Sequence, residues 1–224
     1  MDGKSALIVG ATGLVGRELV SLLLDDGYYE EIIIAGRRSI GIKDDRLNEV
    51  IFEIDEFDQN KSQISATHYY CCIGTTMKHA GSKEAFFKID HDYPIQLAEH
   101  AKTDPKFKKF VLVSSYGANA DSGIFYNHVK GQTEEDLKKL GLNRLLIFQP
   151  SLLLGKRDDF RFFEEAAKTV SSILTFFIIG TRLRFWAIEG SDVAKAMLFA
   201  AKKKNKKAVR TYRPVKMMKM AGRK

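Results

Sequence analysis

The sequence has only two cysteines and no segment typical of export. Cys71 and Cys72 are adjacent, and neighbouring residues do not easily meet disulfide geometry, so we expect a reducing compartment. We interpret both as buried strand residues, with a reactive thiol as the alternative. The N-terminus lacks a basic region followed by an apolar stretch and a cleavage site. These absences predict a cytoplasmic protein.

Long hydrophobic runs are also absent. The most apolar segment, TVSSILTFFIIG at residues 169–180, is shorter than the about 20 residues that a membrane-spanning helix needs. We interpret it as a core or pocket-covering helix, with contact to a membrane as the alternative, and predict no stable membrane insertion. The sequence has neither zinc-finger spacing nor basic residues interleaved with aromatics, so we predict no metal site and no nucleic-acid partner.

Acidic residues are missing from the C-terminal end. Residues 202–224 contain 11 lysines and arginines and no acid, whereas residues 1–201 hold 25 basic and 28 acidic side chains. The formal net charge of +8 therefore comes wholly from this tail. We interpret the tail as a solvated end, with an anionic membrane or nucleic acid as the alternative ligand.

Short apolar runs alternate with longer helical patterns through most of the chain. SALIVG, EIIIAG, HYYCCIG, KFVLVSS and RLLIF are continuous runs, which are typical of parallel strands covered on both faces. The fold class predicted is α/β, with a doubly wound parallel sheet and a small C-terminal helical cap. With 224 residues and no long linker, residues 1–224 form one domain, in which 156–224 supply a substrate-side cap and the basic tail.

Two helices have recognisable ends. In IDHDYPIQLAEHAK, Asp90 or Asp92 is the expected N-cap, and Pro94 falls in the first turn, where its missing N–H costs little. TEEDLKKLG ends at Gly141, where a left-handed residue is expected after a helix.

Three glycines follow the first strand and open the first helix, in LIVGATGLVGRELV. Gly10, Gly13 and Gly16 would allow a tight turn, close approach of a pyrophosphate to the backbone, and binding of its charge by N–H groups at a helix N-terminus. The strand–turn–helix context at the start of an alternating chain predicts dinucleotide binding rather than a purely structural turn.

The ends of the next strands bear on the choice of cofactor. Arg37 and Arg38 follow the second strand in IIIAGRRS, where two cations would bind a ribose 2′-phosphate and thus favour NADP(H); exposed structural arginines are the alternative. Asp55 ends FEID and would accept a hydrogen bond from the adenine amino group, unless it is an ordinary loop acid. CCIGTT after the fourth strand supplies a glycine turn under the cofactor.

A tyrosine and a lysine stand four residues apart in FYNHVKG. On a helix, Tyr126 and Lys130 share one face. A free phenol ionises near pH 10, so an ammonium beside it is needed before it can act as a base near neutrality. Ser114 and Ser115 end the strand FVLVSS, 12 and 11 residues earlier, where a hydroxyl would hold a substrate carbonyl oxygen.

These motifs, taken in order, resemble the short-chain dehydrogenase/reductase superfamily. GATGLVGRELV, AGRRS, DHDYPIQLAEHAK, VLVSSYGANADSGIFYNHVKG and FQPSLLLGKRDDFR are similar to its atypical NAD(P)-binding branch that includes the Tat-interacting-protein-like oxidoreductases. The similarity runs from about residue 4 to residue 165 and implies a Rossmann-like fold and NADPH binding. One departure is the CCIGTT loop, where the best-known members carry Asn-Asn-Ala-Gly and use an asparagine in proton relay.

The resemblance assigns roles by position. Tyr126 would be the proton donor, Lys130 its activating and ribose-binding partner, and Ser115 rather than Ser114 the catalytic serine. Arg157 or Arg161 would contact a phosphate or an acidic substrate. The cofactor-binding residues predicted from the motifs and the resemblance together are Gly10, Thr12, Gly13, Leu14, Val15, Gly16, Arg37, Arg38, Asp55, Ile73, Gly74, Thr75, Tyr126, Lys130, Pro150, Leu152 and Leu153.

The function predicted is an NADP-dependent oxidoreductase that reduces the carbonyl of a small, apolar substrate. Hydride transfer to carbon would accompany proton transfer from Tyr126 to oxygen. FRFF and ILTFFIIG motivate the apolar substrate. Related branches also include NADPH-binding regulators, so the alternative is an NADPH sensor without turnover whose cap or tail binds a partner.

Overall fold

A computed structural model describes residues 3–154, 187–204 and 206–223. Arg157, Arg161, the apolar segment 169–180 and most of the predicted cap lie outside the described residues. None of the helices in the described ranges is both long and apolar enough to span a bilayer.

Within these ranges, the strands form one seven-stranded sheet and one two-stranded sheet, and every pairing is parallel. The large sheet has the order β3-β2-β1-β4-β5-β6-β9, and the small one pairs β7 with β8. Their bounds are β1 Ser5–Val9, β2 Glu31–Gly36, β3 Leu47–Ile51, β4 His68–Cys71, β5 Lys109–Val113, β6 Leu145–Phe148, β7 Leu152–Leu154, β8 Ala187–Glu189 and β9 Val209–Tyr212.

Helices cover both faces of the large sheet. Their bounds are α1 Leu14–Asp26, α2 Phe57–Asn60, α3 Met77–Ala80, α4 Lys83–Phe87, α5 Tyr93–Thr103, α6 Phe125–Lys139, α7 Gly190–Lys202 and α8 Pro214–Met220. Along β1, Ala6 and Ile8 join the core cluster that contains α1 and α7, while Leu7 and Val9 join the cluster that contains α5 and α6. Alternate residues of a strand point to opposite faces, so a strand buried on both must be apolar throughout. The predicted Rossmann-like doubly wound sheet is confirmed.

The predicted helix ends are only partly right. Pro94 lies in the first turn of α5, and Gly141 follows α6 with a φ of 66°, as expected. The N-cap prediction is met only by position, because Asp92 directly precedes α5 whereas Asp90 lies inside the preceding helical turn. A π-helical turn, Lys88–Asp92, joins α4 to α5 without a break, and Asp92 has helical dihedral angles and makes no capping hydrogen bond.

Part of the basic tail is built into the body of the fold. β9 pairs with β6 at the edge of the sheet, and the ring of Tyr212 stacks on Phe148 with centroids 4.7 Å apart. Met217 of α8 is fully buried. Lys203, Lys204, Lys206 and Lys207 are exposed, in keeping with the solvated interpretation of that stretch.

Candidate active site

The turn between β1 and α1 requires its first and third glycines. Gly10 has a φ of 87°, and a Cβ on it would lie 2.6 Å from the carbonyl oxygen of Cys72. A Cβ on Gly16 would overlap the carbonyl oxygen of Gly10. A side chain at either position would therefore push the turn away from β4 or away from α1.

The N-terminus of α1 is free of side-chain caps. Gly13 holds the N-cap position and donates its N–H to Gly10 at 3.0 Å. Val15 is 5% exposed, so only its main chain is available to a ligand, and the side chain of Leu14 packs against Gly190 at the start of α7. Thr12 is exposed. Uncapped N–H groups and the positive end of a helix dipole suit a phosphate.

A cleft of about 260 Å³ runs along the carboxyl ends of β1, β2 and β4. Of the predicted residues, it is lined by Gly10, Thr12, Gly13, Arg37, Arg38, Ile73, Gly74 and Thr75. An apolar wall that the sequence reasoning missed, Phe52, Ile54, Phe57, Ile89 and Leu97, closes its other side. These wall residues belong to several loops and helices, and no local motif marks them. Apolar side chains of this kind beside an uncapped helix N-terminus can accept the adenine ring of a dinucleotide.

Arg37 and Arg38 are exposed at the end of β2 and line this cleft. Within the described ranges, neither forms an ion pair with an acidic side chain. Two unpaired guanidinium groups at the ribose end of the cleft can accept a phosphate by charge-assisted hydrogen bonds.

The structure does not bring Asp55 into the cleft. Its carboxylate lies 2.6 Å from Lys88 Nζ and accepts a hydrogen bond from Tyr93 at 3.1 Å. The hydrogen bond from Lys88 holds the pKa of Asp55 below its ordinary value. Its predicted contact with adenine stays a prediction.

Cys71 and Cys72 line the same cleft. Burial raises the pKa of Cys71 to about 11 and raises that of Cys72 further. A thiolate is the reactive form, so these shifts weigh against a reactive thiol. Cys71 is the buried last residue of β4, as predicted, whereas Cys72 directly follows the strand and is half-buried.

Tyr126 and Lys130 lie on the first turns of α6, as the Tyr-x-x-x-Lys spacing predicts. Tyr126 is 37% exposed, whereas Lys130 is only 6% exposed. A Cβ on Gly74 would be 3.8 Å from Lys130 Nζ, so the lysine lies directly beside the glycine turn that follows β4. Lys130 is therefore next to Gly74, which lines the cleft, although neither Lys130 nor Tyr126 lines it.

Asp90 is the main residue that the sequence reasoning missed, because it was taken for a helix cap. It is 1% exposed, and its Oδ1 lies 2.6 Å from Lys130 Nζ. Its Oδ2 accepts the N–H of Thr75 at 2.8 Å. Burial alone would lower the pKa of Lys130, but the carboxylate of Asp90 and the hydroxyl of Tyr126 outweigh it and raise that pKa. In the sequence, Asp90 is an acidic residue within a helical pattern, and such a residue does not by itself indicate a buried ion pair.

The two serines after β5 have different surroundings. Ser114 is buried and donates a 2.5 Å hydrogen bond to Glu134, whose carboxylate also accepts from Gln149 at 2.9 and 3.1 Å. Ser115 is half-buried, and its hydroxyl makes a 3.3 Å contact with the carbonyl oxygen of Tyr116. Ser115 is thus better able to exchange its partner for a ligand.

Pro150, Leu152 and Leu153 follow β6. The carbonyl oxygen of Pro150 accepts the N–H of Tyr116 at 2.8 Å, which ties this segment to the loop that carries Ser115. Leu152 is 45% exposed, while Leu153 packs against the core. The structure therefore brings Pro150 next to the loop that carries Ser115.

Known proteins are similar to this chain in sequence. The NAD dependent epimerase/dehydratase family matches residues 6–139 of the chain. Protein HTATIP2 of Rattus norvegicus is 33% identical over 165 residues, which cover 72% of this chain and 67% of that protein. Protein FMP52, mitochondrial, of Meyerozyma guilliermondii is 33% identical over 199 residues, which cover 88% of this chain and 84% of that protein.

Solved structures with this fold are more distant in sequence. A short-chain dehydrogenase/reductase superfamily protein from Agrobacterium tumefaciens with bound NAD has a TM-score of 0.70 at 15% identity, covering 94% of this chain and 77% of that one. The Bordetella bronchiseptica enzyme WbmF in complex with NAD+ has a TM-score of 0.68 at 14% identity, covering 98% and 78%. At such identities the likeness concerns the fold alone.

Proposed function

The chain belongs to the NAD dependent epimerase/dehydratase family, and we propose that it is an NADPH-dependent oxidoreductase that reduces the carbonyl of a small, apolar substrate. The observation that carries the proposal is the position of Lys130, beside the Gly74 turn that also lines the dinucleotide cleft. This position joins a proton-transfer pair to a cofactor site, which is what a carbonyl reductase requires.

The residues of the cleft fit a nicotinamide dinucleotide. The glycine turn excludes side chains, the start of α1 offers uncapped N–H groups, and an apolar wall faces them. When bound, NADPH would supply a hydride to the carbonyl carbon. The chain's own residues would then orient the substrate and move its proton.

Three side chains share the proton chemistry in this proposal. Tyr126 gives a proton to the carbonyl oxygen as negative charge develops there. Ser115 donates a hydrogen bond to the same oxygen and stabilises that charge. Lys130 keeps a cation near the phenol and holds the ribose hydroxyls on the nicotinamide side.

Exposed apolar side chains near Tyr126 support an apolar substrate. Tyr116, Ile124, Leu152 and Leu154 are each between 39% and 47% exposed. Tyr116 follows Ser115 and donates its N–H to the carbonyl oxygen of Pro150, and Ile124 directly precedes α6, so these apolar residues are close in the chain to Ser115 and Tyr126. The substrate-side cap predicted within residues 156–224 of the single domain stays a proposal, and it does not extend to α7 and β9, which belong to the core and to the edge of the large sheet.

Turnover is the first test. Purified protein with NADPH and a panel of apolar aldehydes, ketones and quinones should oxidise NADPH, and Tyr126→Phe should reduce kcat by about 100-fold or more, since general acid catalysis contributes at least that much. Tyr28→Phe removes a hydroxyl at the opposite edge of the sheet and should leave kcat unchanged. A protein that binds NADPH tightly but turns over no member of the panel would point instead to the NADPH-sensing alternative.

Cofactor choice has a separate test. Arg37→Ala with Arg38→Ala should weaken NADPH binding by about 100-fold or more, because each charge-assisted hydrogen bond contributes about 1.5–3 kcal/mol. NADH binding should change little. Lys43→Ala removes an exposed cation that does not line the cleft and serves as the control. Equal losses of NADPH and NADH affinity would show that these arginines do not bind the 2′-phosphate.

The subcellular location of the protein can also be tested. The sequence predicts a cytoplasmic protein, whereas several relatives are named as mitochondrial proteins. Fractionation of cells that express the tagged full chain will decide between the two.

A further inference from the structure

Basic side chains gather at the edge of the large sheet that lies opposite the dinucleotide cleft. The strands are parallel, so all of them begin at one edge and end at the other, and the cleft lies at their carboxyl ends. At the amino ends of β1, β5, β6 and β9 the chain places Lys4, Lys108, Lys109, Arg144 and the five lysines of residues 202–207. We call these side chains the basic edge.

Contacts show that the basic edge is continuous from β5 to β9. Lys109 Nζ donates a 2.6 Å hydrogen bond to the carbonyl oxygen of Lys203, just beyond the end of α7. Burial lowers the pKa of Lys109, and the nearby charge of Arg144 lowers it further. The N–H of Leu145 donates to the carbonyl oxygen of Ala208 at 2.8 Å, which holds the lysine-rich segment before β9 beside Arg144.

The basic edge continues towards β1 through the ring of Tyr28. Lys4 Nζ lies 4.2 Å from the centroid of this ring, and Lys202 Nζ lies 5.1 Å from it. Asp26 pairs with Lys202 at 2.7 Å and partly neutralises this side. The excess of positive charge is therefore greatest between β5 and β9.

The needs of the fold explain only part of this charge. Cations favour the C-terminus of a helix, where Lys109 binds the end of α7, and Lys202 has its acid. Exposed cations of the basic edge that form no ion pair within the described part of the chain are Lys108, Lys204, Lys206 and Lys207. Like charges held together repel one another, and an anionic partner would relieve that repulsion.

The make-up of the basic edge favours a lipid surface over a nucleic acid. It has eight lysines and one arginine. Arginine is the usual residue for bidentate contacts with phosphates and bases, whereas lysine is a hydrated point charge that suits a diffuse anionic surface. Phe199 and Val209 are 41% and 37% exposed beside these lysines. Lys203 Nζ lies 3.9 Å from the centroid of the Phe199 ring, so a base cannot stack on that face.

We infer that the basic edge binds the surface of a membrane that contains anionic phospholipids, with Phe199 and Val209 at the level of the headgroups. The protein would then be attached peripherally, and its dinucleotide cleft would face away from the membrane, because the two lie at opposite edges of the sheet. Each cation close to such a surface strengthens binding about fivefold, and salt screens the attraction. This inference does not rest on the proposed function.

Sedimentation with vesicles tests the inference on the full chain. The protein should bind vesicles of phosphatidylcholine with about 30% phosphatidylserine at about 0.1 M salt, leave them at about 0.5 M salt, and ignore pure phosphatidylcholine. Reversing three exposed charges with Lys204→Glu, Lys206→Glu and Lys207→Glu should weaken binding by about 100-fold or more.

A matched triple variant controls for net charge. Lys195→Glu, Lys216→Glu and Lys219→Glu change the same number of exposed lysines, on the first turns of α7 and on α8, and should bind the vesicles within about twofold of the wild type. Equal losses in both triple variants would mean that net charge alone attracts the protein, and the inference would be wrong. It would also be wrong if the wild type bound duplex DNA or single-stranded RNA but no vesicles, or bound none of the three.

A fluorescent label tests the orientation on the membrane. Lys207→Cys and Lys216→Cys each carry an environment-sensitive dye, and the native Cys71 and Cys72 react slowly because burial raises the pKa of both thiols. Phosphatidylserine vesicles should shift the emission of the dye at position 207 to shorter wavelength and leave that at position 216 unchanged. Equal shifts would show that the basic edge does not face the membrane. None of these measurements uses turnover, so a failure of the proposed function leaves the inference standing.

Discussion

The titration of His68 allows a quantitative test of the fold. His68 is the first residue of β4 and is 3% exposed. Its Nδ1 lies 2.6 Å from the hydroxyl of Tyr29, which in turn lies 2.7 Å from the hydroxyl of Tyr70. Burial, together with the charges of nearby lysines, lowers the pKa of His68 to about 3. In the folded protein this imidazole therefore stays neutral far below neutrality.

The sign of the effect on stability follows from the unfolded chain. There His68 has a pKa of about 6.5, so both states are neutral above that pH and the titration contributes nothing. As the pH falls from 6.5 towards 3, the unfolded state takes up a proton and the folded state does not, so the free energy of unfolding falls. Between pH 7 and pH 5 the loss is about 2 kcal/mol, from about 1.36 kcal/mol per pH unit below 6.5.

Urea unfolding of the wild type and His68→Gln at pH 7, 6 and 5 measures this loss. Carboxylates titrate alike in both proteins, so the wild type should lose about 2 kcal/mol more than the variant over this range. His68→Gln should itself be less stable at pH 7, since glutamine does not reproduce the contact with Tyr29. Equal losses in the two proteins, or an imidazole NMR signal of His68 that titrates near pH 6, would refute the reasoning.

Two further predictions concern the glycine turn and the serines. Gly16→Ala should reduce NADPH affinity more than 10-fold in a fluorescence titration, because its Cβ overlaps Gly10, whereas Gly123→Ala meets nothing within 4 Å and should bind normally. Ser114→Ala should lower the free energy of unfolding by about 1–3 kcal/mol through loss of the buried bond to Glu134. Ser115→Ala should leave the free energy of unfolding unchanged and lower kcat. If Ser115→Ala instead lowers stability and Ser114→Ala lowers kcat, then Ser114 is the catalytic serine and Ser115 the structural one.

The sheet and the dinucleotide turn were predictable because their signals are local. Continuous apolar runs require burial on both faces, and a glycine pattern between a strand and a helix has few structural uses. The family recognised from these motifs is confirmed by the comparisons. The positions of Arg37 and Arg38 at the cleft also follow from local order, since they come directly after β2.

The contacts of charged side chains were not predictable in the same way. Asp55 was predicted to bind adenine and Asp90 to cap a helix, but each has a cationic partner distant in sequence, Lys88 for Asp55 and Lys130 for Asp90. Which acid meets which base depends on how helices pack and on the extra residue of the π-helical turn. The N-cap prediction rested on an acidic residue shortly before Pro94, and that signal does not reveal a π-helical turn that joins two helices.

The turn after β4 connects the two halves of the candidate site. At one end, the backbone of Cys72 leaves no room for a side chain on Gly10, and so it holds the phosphate-binding turn. At the other end, Gly74 contacts Lys130, and the N–H of Thr75 binds Asp90. Four consecutive residues thus set the distance between the dinucleotide cleft and the proton-transfer pair. A change in this turn should therefore disturb cofactor binding and proton chemistry together, whereas changes in Arg37 or Tyr126 should separate them.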